Sequence, residues 1–274
     1  MFCYRMIVAM NAVVKKDFEE GDPRFMTSLA RGLDMLRSFE GQTSLTVTQA
    51  AKATGLSRSA AGRCLFTLEQ LGYVAAQEGS YSLTQAVLPL ARAFTAADPL
   101  SRNGQAVVDV LRDRLGESSS LALFDPRCGQ TQVLYVCRAE TARIISVPLL
   151  AGSTLPSHCT SNGRVLLAGL KPAALRAFLA HAPFPAHTAC TLTTAEALRE
   201  EIESVRGRGW AITDGELAAG LRSVAVPVCG PGGEVKAALN LATQSSRRAL
   251  DWLTGTALPE LQAAAAHLAR VTAS

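Results

Sequence analysis

The chain has 274 residues and a formal net charge of +4 from 27 basic and 23 acidic side chains, with 48% apolar and 18% charged residues. At about 100–200 residues per domain this length predicts two domains, and the apolar share excludes a disordered chain or a coiled coil. The small charge excess is no sign of nucleic-acid binding by itself, so any basic surface has to be local.

Residues 1–25, opening MFCYRMIVAMNAVVKK, lack the charge pattern and small-residue cleavage site of a signal peptide and are expected to be a disordered N-terminal extension. From Thr27, Leu29, Leu33, Leu36 and Phe39 recur at helical spacing behind a Thr27/Ser28 cap, predicting an amphipathic helix that ends near Gly41. Thr46 and Gln49 form a capping box for a two-turn helix with Val47, Ala50 and Ala51 on its apolar face, stopped by Gly55. Leu56 bridges the turn, Ser57 caps a third helix, SRSAAGRCLFTLEQLG, and Gly72 ends it. At about 100° per residue, Ala61, Cys64, Leu65, Leu68 and Leu71 fall on one side of that helix. Ser59, Gly62 and Arg63 then face outward, with Arg58 in the first turn. YVAAQEGSYSLT predicts two short strands around a Glu78-Gly79 turn, so residues 26–84 are expected to form a winged helix-turn-helix.

Residues 85–98 predict a linker helix, ended by Asp98-Pro99. Its Val87, Leu88, Leu90, Ala91 and Phe94 exceed what one small winged domain can cover, which predicts self-association into a homodimer or tetramer. Beyond it, SLALF, QVLYVC, RIISVPL, WAIT, RSVAVPV and KAALNLAT predict strands, interleaved with helices at 105–115, 163–170, 193–208 and 258–271. Thr193 with Glu196 makes a capping box for the third of these. The mixed order predicts an α+β domain with one central sheet over residues 99–274.

In a helix-turn-helix the second helix lies in the major groove with its first turn facing bases. Between residues 41 and 68 the chain carries Lys52, Arg58 and Arg63 and no acid, although the whole winged unit is close to charge balance. Arg58, flanked by Ser57 and Ser59, and Arg63 are therefore the expected base readers, and Lys52 a phosphate contact. Gly62 costs the helix about 1 kcal/mol relative to alanine, yet permits close approach of backbone to DNA. Phe66 also projects outward and is expected to pack on the wing.

The blocks FMTSLARGLDMLRSF, TQAAKATGLSRSAAGRCLFTLEQLGYV, LPSHCTSNGRVLLAGL, GELAAGLRSVAVPV and AALNLAT resemble successive blocks of the IclR family of bacterial transcription regulators, over residues 25–274. CTSxGRVLLA and GLRSxAVPV most resemble the branch that controls aromatic-acid catabolism through the β-ketoadipate pathway, with Asn162 and Gly215 departing from its pattern. The resemblance implies a GAF-like effector-binding fold for the second domain, double-stranded operator DNA as one partner and a small organic-acid effector as another. LPSHCTSNG immediately precedes the helix near Gly163, and the free N–H groups and dipole of a helix N-terminus favour an anion there. Ser161 and Asn162 add hydrogen-bonding side chains. The resemblance carries further effector contacts onto Thr213, Asp214 and Ser223, while Leu123, Val147 and Leu149 are expected to supply apolar walls. An ionised Asp214 would repel an anion, so it is expected either to pair with a donor or to accept a ligand hydroxyl.

An enzyme or a non-DNA sensor built on the second domain is the alternative class. His158 beside Cys159 offers a thiol and a base, and His181, His187 and Cys190 offer metal ligands. Neighbours in an extended loop point apart, however, and the His181-x5-His187-x2-Cys190 spacing matches no metal signature. The seven cysteines stand singly without a C-x-x-C pair, which fits a reducing cytoplasm and neither a disulfide framework nor a structural zinc site. There is no G-x-S-x-G, Walker loop or H-E-x-x-H, so no catalytic residue, metal or cofactor is expected. No apolar run reaches the ~18 residues of a membrane span. The expectation is a cytoplasmic, ligand-responsive, DNA-binding transcription regulator.

Overall fold

Residues 22–125, 130–141 and 149–273 are described by a computed structural model of the chain, which divides at Ala97/Asp98 into two compact units. All of the RIISVPL strand but its last residue, Val147 included, and nearly all of the N-terminal extension lie outside the described residues.

In the first unit, α1 (Thr27–Arg37), α2 (Val47–Thr54) and α3 (Arg58–Gln70) enclose a core of Met35, Phe39, Leu45, Ala50, Ala61, Leu65, Leu68 and Val74. Two of the three predicted caps form: the Thr46 side chain accepts from Gln49 N–H while Gln49 reaches back to Thr46, and Ser57 Oγ accepts from Ala60 N–H at 3.2 Å. Gly55 takes the left-handed conformation that lets α2 turn sharply into α3. The wing is β2 (Val74–Gln77) paired with β3 (Ser80–Leu83), turning on Glu78 and Gly79 with φ of 50° and 79°. Two successive positive φ values make the turn whose twist suits a tight hairpin, and glycine takes the second at no steric cost. A two-residue β1 (Leu45–Thr46) adds a third strand against β3.

The pattern misplaced parts of this core. Leu29 and Leu33 are 57% and 43% exposed, because only the C-terminal half of α1, with Met35 and Leu36, and the turn after it, with Phe39, join the core. Leu71 is exposed too, lying one residue past the end of α3. The predicted Thr27/Ser28 cap is absent: Met26 holds the N-cap position and makes no side-chain bond. The predicted linker begins as a 3-10 turn (Gln85–Val87) and continues as α4 (Leu88–Ala97), on which Leu88, Leu90 and Phe94 are exposed.

The second unit is built on a six-stranded antiparallel sheet in the order β6-β5-β4-β9-β8-β7. Its strands are β4 (Ser118–Phe124), β5 (Gln132–Ala139), β6 (Thr154–Pro156), β7 (Ala211–Asp214), β8 (Leu221–Cys229) and β9 (Val235–Gln244). One face packs on α5 (Pro99–Leu115) and on a C-terminal helix that runs as α9 (Leu250–Trp252), a π-helical turn (Leu253–Ala257) and α10 (Leu258–Thr272). The other face packs on α6 (Ser161–Ala168), beyond which α7 (Pro172–Leu179) and α8 (Ala195–Arg208) add a further apolar layer. Helices thus cover both faces of one sheet, the α+β arrangement expected.

Some boundaries differ from the pattern. Asp98-Pro99 ends α4 but also starts α5, since Asp98 accepts from Ser101 N–H at 2.8 Å and proline suits the first helical turn. Residue 105 is therefore a mid-helix position. Thr194, not Thr193, caps α8. The three-residue edge strand β6 is too short to show a pattern, whereas α7 was missed although Leu175, Phe178 and Leu179 recur at helical spacing behind Pro172. No described helix is long and apolar enough to cross a membrane.

Candidate functional site

On α3, Arg58, Ser59 and Arg63 are exposed, as are Ser57 at its cap and Lys52 on α2. The side chains of Lys52, Arg58 and Arg63 make no ion pair or hydrogen bond among the described residues, so all three cations are available to an outside anion. Gly62 differs from the expectation. It is half-buried, and a Cβ there would stand 3.8 Å from Val47 Cγ1, so it faces the crossing with α2. Phe66 projects outward as expected but is 60% exposed and lies uncovered by the wing.

In the second unit the sheet register sets two hydroxyl side chains side by side. Thr213, Ser223 and Ala242 are cross-strand partners on β7, β8 and β9, and cross-strand partners share a face. They line a cavity of about 40 Å³ together with Tyr135, Arg138, Leu149, Leu155, Cys159, Thr160, Leu217, Leu221 and Asn240. Ser223 Oγ lies 2.8 Å from Thr213 Oγ1 and 2.8 Å from Ser161 Oγ at the start of α6. Three of the expected effector residues, on three elements, therefore form one chain of hydroxyls. Each hydroxyl both donates and accepts, so the chain can turn a donor or an acceptor toward the cavity. Among the lining residues Arg138 alone is cationic; its guanidinium donates to Glu140 at 2.8 Å and its side chain is 9% exposed. Burial pushes the Tyr135 phenol up to about 12, keeping it neutral at physiological pH.

Other expected contacts fall elsewhere. Leu123 packs with α5 and α10 on the opposite face, because successive side chains of β4 alternate and Ala122 takes the cavity side. The same alternation turns Asp214 out of the cavity, where Arg222 grips it through two hydrogen bonds of 2.7 and 3.0 Å. Asp214 is thus paired, as expected of it, but not at the ligand. Leu149 does line the cavity. Asn162 is fully buried and does not line it; its amide approaches the Tyr135 hydroxyl without a well-formed bond, and neither amide atom has a hydrogen-bond partner among the described residues.

The N-terminus of α6 is not open at Gly163. Its N–H donates to Thr160 Oγ1 at 3.2 Å, so threonine is the cap, and a Cβ on Gly163 would overlap the Ser157 backbone. Gly163→Ala is expected to cost at least about 1–3 kcal/mol, since no flexible side chain is there to give way. A denaturation midpoint unchanged from the parent would contradict this contact.

Arg164, next on α6, is among the largest fully buried side chains. Its guanidinium donates to Glu216 and its Nε–H to the His158 carbonyl at 3.2 Å, with Glu201 of α8 at 3.9 Å. Burial pushes the Glu216 carboxyl up while the Arg164 charge pulls it down. Through this pair α6 is tied to the loop between β7 and β8, where Leu217 lines the cavity. Arg206 of α8 adds a second tie, donating to the Ala168 and Leu170 carbonyls at 2.7 Å each, at the end of α6. The sequence signal for Arg164 was one cation inside the otherwise apolar run after Gly163.

His158 and Cys159 do not suit covalent chemistry. Burial holds the His158 imidazole down at about 4 and pushes the Cys159 thiol up to about 12, leaving a neutral ring and a protonated thiol. They do not point apart, however: ring nitrogens of His158 and His187 and the Cys159 sulfur lie within 4.8 Å of one another. His181 and Cys190 stand outside this group, exposed, with His181 Nδ1 3.1 Å from the Phe178 carbonyl.

Comparison with known proteins matches residues 28–78 to the IclR helix-turn-helix domain and residues 94–270 to the bacterial transcriptional regulator IclR C-terminal domain. The chain is 41% identical over 250 residues to the Pca regulon regulatory protein of Pseudomonas putida, covering 90% of this chain and 84% of that one. A transcriptional regulator from Rhodococcus sp. RHA1 has a crystal structure similar to the whole fold, with a TM-score of 0.80 and 36% identity over 91% of this chain and 99% of that one. A double mutant of the PobR inducer-binding domain from Acinetobacter, crystallised with 3-hydroxybenzoic acid, gives a TM-score of 0.57 and 26% identity, covering 62% of this chain and 97% of that one. The winged helix-turn-helix with unpaired cations, the sheet-borne cavity and these matches over both units lead to one conclusion: the chain belongs to the IclR family of bacterial transcriptional regulators.

Proposed function

We propose that this regulator controls catabolism of a hydroxylated aromatic acid or a related organic acid, which it senses in the cavity beside Ser223. The observation that carries the reading is the pairing, in one cavity, of the Arg138 guanidinium with the Thr213–Ser223–Ser161 hydroxyl chain. A carboxylate suits the cation, a ring suits Leu149, Leu155, Leu217 and Leu221, and a ligand hydroxyl suits the hydroxyl chain. The PobR inducer-binding domain crystallised with 3-hydroxybenzoic acid supports the same ligand class. At about 40 Å³ the cavity has room for a few water molecules only. A ring therefore enters by displacing the half-buried Leu149, Leu217 and Leu221 outward, a conformational change by which ligand binding is coupled to the DNA-binding unit.

The test is a thermal-shift series with hydroxybenzoic acids and the matching neutral hydroxybenzamides. An acid at about 100 times its dissociation constant should stabilise the protein by about 2.7 kcal/mol, and Arg138→Met should abolish that stabilisation. Equal stabilisation by the amides, or an undiminished response in Arg138→Met, would contradict the anion reading.

The operator in this reading is a pseudo-palindrome read in the cytoplasm by a homodimer or tetramer. The exposed Leu29 and Leu33 of α1 and Leu88, Leu90 and Phe94 of α4 leave the first unit more apolar surface than its own fold covers. Leu90→Glu should reduce self-association and operator affinity together. Sedimentation showing a parent monomer that binds a full operator tightly would end this part of the proposal.

A further inference from the structure

We propose that His158, Cys159 and His187 form a binding site for one zinc-class divalent cation. The two histidines come from separate segments, the turn before α6 and the connection between α7 and α8, and only the fold brings them together. One ring nitrogen of each histidine and the Cys159 Sγ lie within 4.8 Å of one another.

Two further features make this more than proximity. His158 Nε2 is 3.0 Å from the Pro185 carbonyl oxygen, and because a carbonyl only accepts, Nε2 carries the proton and Nδ1 keeps its lone pair. An imidazole that donates its second N–H to a backbone carbonyl is the usual support of a metal-ligating histidine. The ring is also held in place by stacking on Phe184, with centroids 5.2 Å apart. His187 Nε2, for its part, is buried with no hydrogen-bond partner among the described residues, although its ring is only 5.7 Å from that of His158. A buried imidazole nitrogen without a partner is costly, and a cation would satisfy it.

The donor set names the class of ion. Two imidazoles and one thiolate suit Zn²⁺ or Co²⁺, whereas Mg²⁺ and Ca²⁺ require oxygen ligands. Glu216 is occupied by Arg164 and supplies none. On coordination the Cys159 thiol gives its proton to solvent, both imidazoles bind in their neutral form, and water completes the tetrahedron. Metal–ligand bonds of about 2.0–2.3 Å place ligand atoms roughly 3.3–3.8 Å apart, so the group closes by about 1 Å, with the half-buried His187 as the side able to move. The sequence pointed away from a metal because His187, the partner of the adjacent His158 and Cys159, lies far along the chain, between His181 and Cys190, which do not take part.

The experiment is titration of the full chain, freed of metal by dialysis against a chelator, with Co²⁺ and then Zn²⁺. One equivalent of Co²⁺ should give a thiolate-to-cobalt band in the near ultraviolet and tetrahedral bands in the visible, both erased by Zn²⁺. His187→Ala, on a connecting segment, should keep the far-ultraviolet circular dichroism of the parent and weaken Co²⁺ binding about tenfold or more. Cys159→Ser should lose the thiolate band, whereas His181→Ala and Cys190→Ser should titrate as the parent does. Absence of a thiolate band in the parent, or an undiminished titration in folded His187→Ala, would overturn the site.

Discussion

Glu216→Ala is expected to destabilise the C-terminal unit by about 3–5 kcal/mol, the usual cost of leaving one partner of a buried ion pair uncompensated. Arg164 is 2% exposed and Glu216 8%, so water cannot replace the lost carboxylate without opening α6 from the sheet. The remaining acid, Glu201, stands 3.9 Å away and already receives Arg208 at 2.7 Å. Removing both charges as Arg164→Met with Glu216→Ala should recover much of the loss, because the pair's desolvation cost disappears along with its attraction. Denaturant titration of the single and double variants measures this. A Glu216→Ala loss below about 1 kcal/mol, the range of an exposed pair, would show that the pair is not buried in solution.

The second large effect concerns DNA. Arg58→Ala and Arg63→Ala should each weaken operator binding by about 1–3 kcal/mol with relaxed sequence preference, the signature of a lost base contact. Lys52→Ala should weaken all sequences alike and flatten the dependence of log affinity on log salt by about one unit, the signature of a lost phosphate contact. The motivating observation is that the three cations are exposed and without partners among the described residues. If all three variants bind the operator with parent affinity and salt dependence, α3 is not the reading helix.

The DNA-binding unit was largely legible because its signals are local. Capping boxes, left-handed glycines and a two-residue hairpin turn act within a few residues of themselves, and Thr46, Ser57, Gly55 and Gly79 each did what the pattern required. What failed there, the burial of Leu29, Leu33 and Leu71, depends on how far a neighbouring helix extends. The cavity was half legible. Thr213, Ser223 and Ser161 were expected and do meet, whereas Leu123 and Asp214 lie one residue out of phase with the face that lines it. A period of two makes such an error total: a single step moves a side chain through the sheet. Arg138 and Tyr135 went unread because a lining cation or phenol on β5 looks no different in sequence from a surface one. The Arg164–Glu216 pair joins residues 52 positions apart, a distance that no local pattern spans.

The most direct test of an effector-responsive regulator is fluorescence anisotropy of labelled DNA from upstream of its own gene, titrated with the full chain in the presence and absence of a hydroxybenzoic acid that gives a thermal shift. Specific binding should exceed that to scrambled DNA of equal length by at least about 10³ at physiological salt. The acid should change the specific affinity by about 5–150-fold, the usual range for coupling between two sites. Equal affinity for own and scrambled DNA, or an operator affinity unmoved by an acid that binds the protein, would contradict the linkage of cavity to DNA on which the proposed function rests.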